Sequence, residues 1–90
     1  MIGLVIKQPL ANQVLRGETV ELEESKMPKY LDKEFYIING GYVHGTSRIT
    51  KVTLDSVRGF IWHLVKAKRI KPIKCNIPKG KWTDDVELLV

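Results

Sequence analysis

The chain has 90 residues, 43% of them hydrophobic and 28% charged, with a formal net charge of +5. That length holds one domain, residues 1–90, burying roughly 60–65% of the surface exposed by the unfolded chain, so one compact core is expected. The composition excludes a disordered chain, and no apolar run approaches the roughly 20 residues of a membrane span. A single cysteine, Cys75, excludes an internal disulfide. With no basic-then-apolar leader, the expected setting is cytoplasmic and the expected partners do not include a membrane.

Residues 2–7 read as a strand with Ile2, Leu4 and Ile6 on one face. Pro9 suits the first turn of a helix, and Leu10, Ala11, Val14 and Leu15 make its apolar stripe. Gly17 is a natural stop, because left-handed geometry costs it little. Two helical turns are too short to stand alone, so this helix must pack on a sheet.

Residues 19–22 predict a second strand in which Val20 and Leu22 share one face and Thr19, Glu21 and Glu23 the other. Residues 25–33, with Pro28, read as a loop, and residues 34–38 as a strand closed by Asn39-Gly40-Gly41, a hairpin turn rather than a phosphate loop. Residues 43–54 predict one long strand with a kink at Gly45, and residues 60–67 an apolar strand bearing Trp62. Residues 70–77, interrupted by Pro72, read as an edge strand, residues 78–81 as a turn, and residues 86–90 as the last strand. Short strands at 8–12-residue spacing with one helix predict a mainly β (α+β) fold, a small β-barrel of about six strands with one short N-terminal helix. Closure would remove the exposed edges that so many strands create.

Charge is unevenly distributed. Residues 56–83 hold Arg58, Lys66, Lys68, Arg69, Lys71, Lys74, Lys79 and Lys81 with no acid among them, whereas Glu18, Glu21, Glu23 and Glu24 form an acidic knot. Basic groups neutralise phosphates and Trp82 offers a ring for an unpaired base, which points to RNA; the plainer reading is a solvated surface with Trp82 in the core. No base-reading helix is evident, so shape and single-strand recognition would dominate.

Lys7, Pro9, Gly17, Thr19, Val20 and Glu21 resemble the opening of the ASCH domain, a branch of the PUA-like RNA-associated barrels. That opening has a lysine-ending strand, a Pro-led helix and then Gly-x-Lys-x-x-Glu-x-Arg. The resemblance continues through Tyr36-Ile37-Ile38, the strand led by Gly45, Phe60-Ile61-Trp62-His63-Leu64, and the basic tail of Lys68-Arg69-Ile70-Lys71-Pro72 and Pro78-Lys79-Gly80-Lys81-Trp82. It implies an RNA- or nucleotide-binding domain with a cleft beside the first helix. Some small bacterial ASCH proteins hydrolyse acetylated cytidine with a Lys, Thr and Glu set, and ribonuclease activity is attributed to others. Of that set only Thr19 matches by position. Glu18 and Glu23 stand where the family has basic residues, which shifts the reading from catalysis towards binding.

The expected site follows from these residues. Phosphates would be held by Lys66, Lys68, Arg69, Lys71 and Lys81, and a cleft near Lys7, Gln8, Asn12, Thr19 and Glu21 would receive a base or nucleoside. His44, in a Gly-rich approach, is a further candidate, and Trp82 a stacking one. Lys7, Thr19 and Glu21 are the catalytic candidates if the chain is a hydrolase, although a plain ion pair is the readier explanation of Lys7 and the carboxylates. Glu21 and Glu23, roughly 6.5–7 Å apart on one face, could serve as a general acid–base pair or share a cation, while the plainer reading is a solvated strand face. A third reading makes the acidic cleft a binding site for a protein or a cationic ligand, as in a small regulatory or viral adaptor. His63 and Cys75 alternate with apolar neighbours, so His63 reads as a hydrogen-bonded core or semi-buried histidine and Cys75 as a buried structural thiol. No Cys-x-x-Cys or His-x-x-x-His spacing occurs, so neither metal nor cofactor is expected.

Overall fold

The computed structural model describes residues 1–65 and 67–90; Lys66, one of the expected phosphate ligands, lies outside the described residues. Among the described residues the fold is mainly β, as expected, with eight strands and one short helix. In chain order these are β1 (Gly3–Val5), α1 (Leu10–Leu15), β2 (Val20–Glu24), β3 (Phe35–Asn39), β4 (Tyr42–Ser47), β5 (Ile49–Asp55), β6 (Gly59–Leu64), β7 (Lys68–Lys74) and β8 (Trp82–Thr83). One sheet has the order β7-β4-β3-β1-β8 and the other β2-β6-β5. No helix among the described residues is long and apolar enough to cross a membrane.

The opening segment folds as its residues dictate. Pro9 stands just ahead of α1, where its missing N–H removes no intrahelical bond. Gln8 Oε1 accepts the Asn12 N–H at 3.0 Å and so satisfies one orphan donor of the first turn. At the other end Gly17 takes φ 86°. Its N–H reaches Val14 O and the Glu18 N–H reaches Gln13 O, both at 3.0 Å, which closes the helix in a Schellman turn. Ala11, Val14 and Leu15 are buried in the main core beside Leu4, Phe35, Ile37, Ile49 and Trp62.

The single strand expected over residues 43–54 is divided at Arg48, and the irregularity expected at Gly45 is a register shift between Val43 and Gly45. β4 belongs to one sheet and β5 to the other, and the same switch separates β6 from β7. Together they form one bent antiparallel ribbon, β4 against β7 and β5 against β6. The bend is cross-linked: Ser47 Oγ–H donates to Val65 O at 2.8 Å, and the Val65 N–H to Arg48 O at 3.2 Å. Gly45 has a different task. A Cβ there would collide with Lys68 O and lie 2.9 Å from Leu15 Cδ2, so glycine lets bulged β7 pass close to β4 over the helix.

Among the described residues the barrel does not close. β7 and β8 end one sheet, and β2 and β5 end the other. β1 pairs in parallel with β3, and the chain then crosses through α1 to β2 in the second sheet. β1 has no free edge for β2, because β3 pairs on one side of it and β8 on the other. The strand expected over residues 86–90 is also absent as a ladder, with only a bridge from Leu88 to Cys75. These residues cross the outer face of the five-stranded sheet. Val86 seats on Gly3, whose Cβ would lie 2.7 Å from Val86 Cγ2. Alternating Val86 and Leu88 suit such a cover as well as they suit a strand.

An aromatic cluster braces the main core. Trp82 lies 5.5 Å from Tyr30, 5.8 Å from Phe35 and 6.0 Å from Trp62, ring centre to ring centre. Asp84 holds the loop before β3 against it, its Oδ1 accepting from Lys29 Nζ at 2.6 Å and from the Tyr30 hydroxyl at 2.9 Å.

Two outcomes follow from this packing. Gly45→Ala should lower stability by about 1–3 kcal/mol in urea denaturation, because the added methyl meets backbone that cannot rotate away. The hydrogen bond from Lys29, then that from Tyr30, holds Asp84 below its ordinary pKa of 3.8, and the Arg58 and Val57 N–H groups do the same for Asp55. The unfolded chain therefore takes up these protons first as pH falls, so the stabilisation is complete above about pH 4 and is lost below it. Urea midpoints between about pH 5 and pH 3 should drop, and Asp84→Asn should make that dependence shallower.

Candidate functional site

Where the two sheets part, a groove of about 410 Å³ opens beside α1. Val5 and Ile6 from the end of β1, Leu10 from α1 and Leu22 from β2 form its apolar walls. Lys7, Glu24, Gly80 and Lys81 stand at its polar side. The alternation of β2 explains this mixture: Val20, Leu22 and Glu24 share the inward face, and the last of them reaches the rim. Glu24 is only 20% exposed and meets Lys81 Nζ at 3.0 Å. Lys81 is itself fixed by its backbone, since its carbonyl accepts the Val5 N–H at 2.8 Å.

A second hollow of about 370 Å³ adjoins the first, sharing Val5 and Gly80. Gly40 and Gly41 of the β3–β4 turn line its other side, and Pro78 and Lys79 border it. Lys7, Lys79 and Lys81 thus line two adjoining hollows whose shared wall is Val5. An apolar floor with amines at the rim suits a flat, partly apolar ligand carrying anionic groups.

Of the residues expected at a cleft, Lys7 and Lys81 line the groove. Gln8 and Asn12 instead bond to each other, Gln8 Nε2 donating to Asn12 Oδ1 at 3.2 Å, on the exposed side of the helix. Thr19 is exposed at the approach to β2. Glu21 lies on the face of β2 opposite Leu22 and Glu24, so it does not meet Lys7 across the groove. The catalytic set of Lys7, Thr19 and Glu21 is therefore not assembled, because one residue of parity turns Glu21 to the other side of the strand.

Glu21 and Glu23 do share a cation, and it is Arg58. The guanidinium bonds Glu23 through Nε and Glu21 through Nη2, the latter at 3.2 Å. Bonding first to Glu23 and then to Glu21 holds the guanidinium even more firmly protonated than usual. This internal neutralisation uses the carboxylates that a cationic ligand would need. His63 stands next in the row, its Nε2 3.0 Å from Thr53 Oγ1 and its Nδ1 3.7 Å from Glu21 Oε1. Hydroxyl, imidazole and carboxylate line up across three strands, but the last gap is too long for a hydrogen bond and the groove lies on the other face.

The basic stretch is contiguous in sequence and divided in space. Lys68, Arg69, Lys71 and Lys74 lie on β7, exposed, at the far edge of the five-stranded sheet from β1 and β8. Three strand intervals, about 14 Å at the usual spacing, separate β7 from β1. Lysines and Pro72 on an edge strand obstruct pairing with another chain, which accounts for them without a ligand. His44 is half-buried on β4 with Nε2 3.1 Å from Asn39 O, and Trp82 is engaged by three aromatic rings rather than held open for a base. Glu24 is the groove residue that sequence reading did not single out; its even spacing from Val20 and Leu22 was the available signal.

Cys75 is buried, its Sγ 3.4 Å from Gly41 O, and burial pushes its thiol pKa above the ordinary value. It is a buried thiol in an apolar setting that disfavours the thiolate. Among the described residues no cluster of three potential metal ligands occurs. Comparison of the chain with known protein families, with characterised proteins and with solved structures finds no match in any of the three.

Proposed function

We propose that the chain is an RNA- or nucleotide-binding domain of the ASCH and PUA-like kind, and that the groove beside α1 receives the ligand. The observation that carries this reading is the groove itself: apolar walls from β1, α1 and β2, with Lys7 and Lys81 at the rim and Lys79 in the adjoining hollow. A base would lie against Val5, Leu10 and Leu22, while phosphates would be drawn to the amines. Glu24 sets the polarity of this arrangement. Its carboxylate repels phosphate and accepts from an exocyclic amine, so the base would enter at Glu24 with the phosphates towards Lys7 and Lys79. The lysines of β7 are too far along the sheet to belong to the same contact.

The test is binding of short single-stranded RNA followed by fluorescence anisotropy across a salt series. Phosphate contacts from Lys7 and Lys79 predict a slope of log affinity against log salt of about −1.4, at ~0.7 for each contact on a single strand. Lys7→Ala and Lys79→Ala should each reduce the slope by ~0.7, and Lys71→Ala and Lys74→Ala should leave it unchanged. Absence of binding at low salt, or equal losses from the β7 substitutions, overturns the assignment.

A further inference from the structure

The two sheets leave four edges among the described residues, and three of them are obstructed. β7 carries Lys68, Arg69, Lys71, Lys74 and Pro72 and is interrupted by a bulge, β8 is two residues long, and β2 bears Glu21, Glu23 and Glu24 beside the groove. β5 is different. It runs seven residues without proline, and from Lys51 to Asp55 it pairs regularly with β6, its irregularity being confined to Ile49 and Lys51. Its distal end also exposes apolar surface, Leu54 at 74% and Val57 at 91%.

We propose that the outer edge of β5 pairs with the same edge of a second copy of this chain, antiparallel about a two-fold axis at Thr53. The sequence of the strand is self-complementary in that register. Lys51 of each copy comes opposite Asp55 of the other, and Val52 opposite Leu54. Two-fold symmetry of an antiparallel pair admits only registers centred on a residue, because hydrogen-bonded and non-bonded pairs alternate. Centring on any other residue from 51 to 55 loses the opposition of Lys51 to Asp55, and centring on Lys51 sets the two lysines against each other.

The chemistry of each face suits the pairing. Lys51, Thr53 and Asp55 lie on one face of β5, so both ion pairs would form there. Asp55 Oδ1 already accepts the Val57 and Arg58 N–H groups at 2.8 and 2.9 Å, which leaves its other oxygen for the lysine. On the opposite face Leu54 projects beyond the main core beside Phe60, and Val52 of the second copy would cover it. An edge-to-edge contact of five residues is small, so the dimer should be reversible and concentration-dependent.

Sedimentation of the whole chain from about 5 to 500 μM tests this, with dimer expected to accumulate over that range as micromolar affinity requires. Lys51→Glu opposes two acids at each end and Asp55→Lys two lysines, so each variant alone should be monomeric. Mixed in equal amounts they should form a heterodimer. The glutamate introduced in one copy then meets the lysine introduced in the other, and the retained Asp55 meets the retained Lys51. Because Asp55→Lys removes the turn bonds and can unfold the hairpin, Leu54→Lys serves as the second variant and should weaken dimerisation at least tenfold. A wild-type monomer at the highest concentration overturns the proposal. So does an undiminished dimer in Lys51→Glu or Leu54→Lys, or a dimer abolished by Lys74→Glu on β7 instead.

Discussion

The bend at Ser47 and Arg48 is the constraint from which the rest of the architecture follows. A single ribbon has to serve two sheets, and it does so because the corner keeps its hydrogen bonds. Ser47 would be a buried, unsatisfied hydroxyl without Val65 O, and such a group costs far more than one net hydrogen bond returns. With that corner fixed, β4 and β7 present one sheet and β5 and β6 another, and Trp62 and Ile49 face Phe35 and Leu4 across the core. Gly45 belongs to the same device, because the closeness of β7 to β4 above Leu15 leaves no room for a side chain.

What the corner joins on one side stays open on the other. α1 crosses from β1 to β2 in six residues, and the seam it spans is partly filled by Leu10, Leu22 and the Glu24–Lys81 pair. A fully closed barrel of this size would have little interior to offer. The open seam provides a floor of apolar side chains with charges at its margin, in a position set by strands on both sides and not by a loop alone. Surface charge elsewhere has structural uses: Arg58 neutralises Glu21 and Glu23, and the lysines of β7 shield an edge.

Much of this is legible in the residues. The Pro-to-Gly helix, the apolar face of Ile2, Leu4 and Ile6, the buried Cys75 and the mainly β class all follow from local rules of spacing and backbone preference. The division of residues 43–54 does not, because Arg48 carries no turn signal and the corner is made by tertiary hydrogen bonds to Val65. The closed barrel fails for a related reason: spacing counts strands but does not say whether the first and second pair. At the site, the lysine-ending strand of the resemblance finds Lys7 and the basic run finds Lys81, while motif spacing selects Glu21 although strand parity favours Glu24. The basic run does not make one surface, since closeness along the chain says nothing about a sheet whose opposite edges it supplies.

The cover over β1 has a consequence for how the chain acquires its structure. Val86 seats on Gly3, and its N–H bonds Met1 O at 3.1 Å, so the outer face of β1 is completed by residues more than eighty positions later in the sequence. β1 gains its first ladder from β3 and its second from β8, both formed after long stretches of chain. β1 is therefore completed only when contacts of very long sequence separation form. Until residues 82–88 dock, Val5, Ile38 and Val43 lack their lid, so that apolar face is exposed in any state that lacks these most distant contacts.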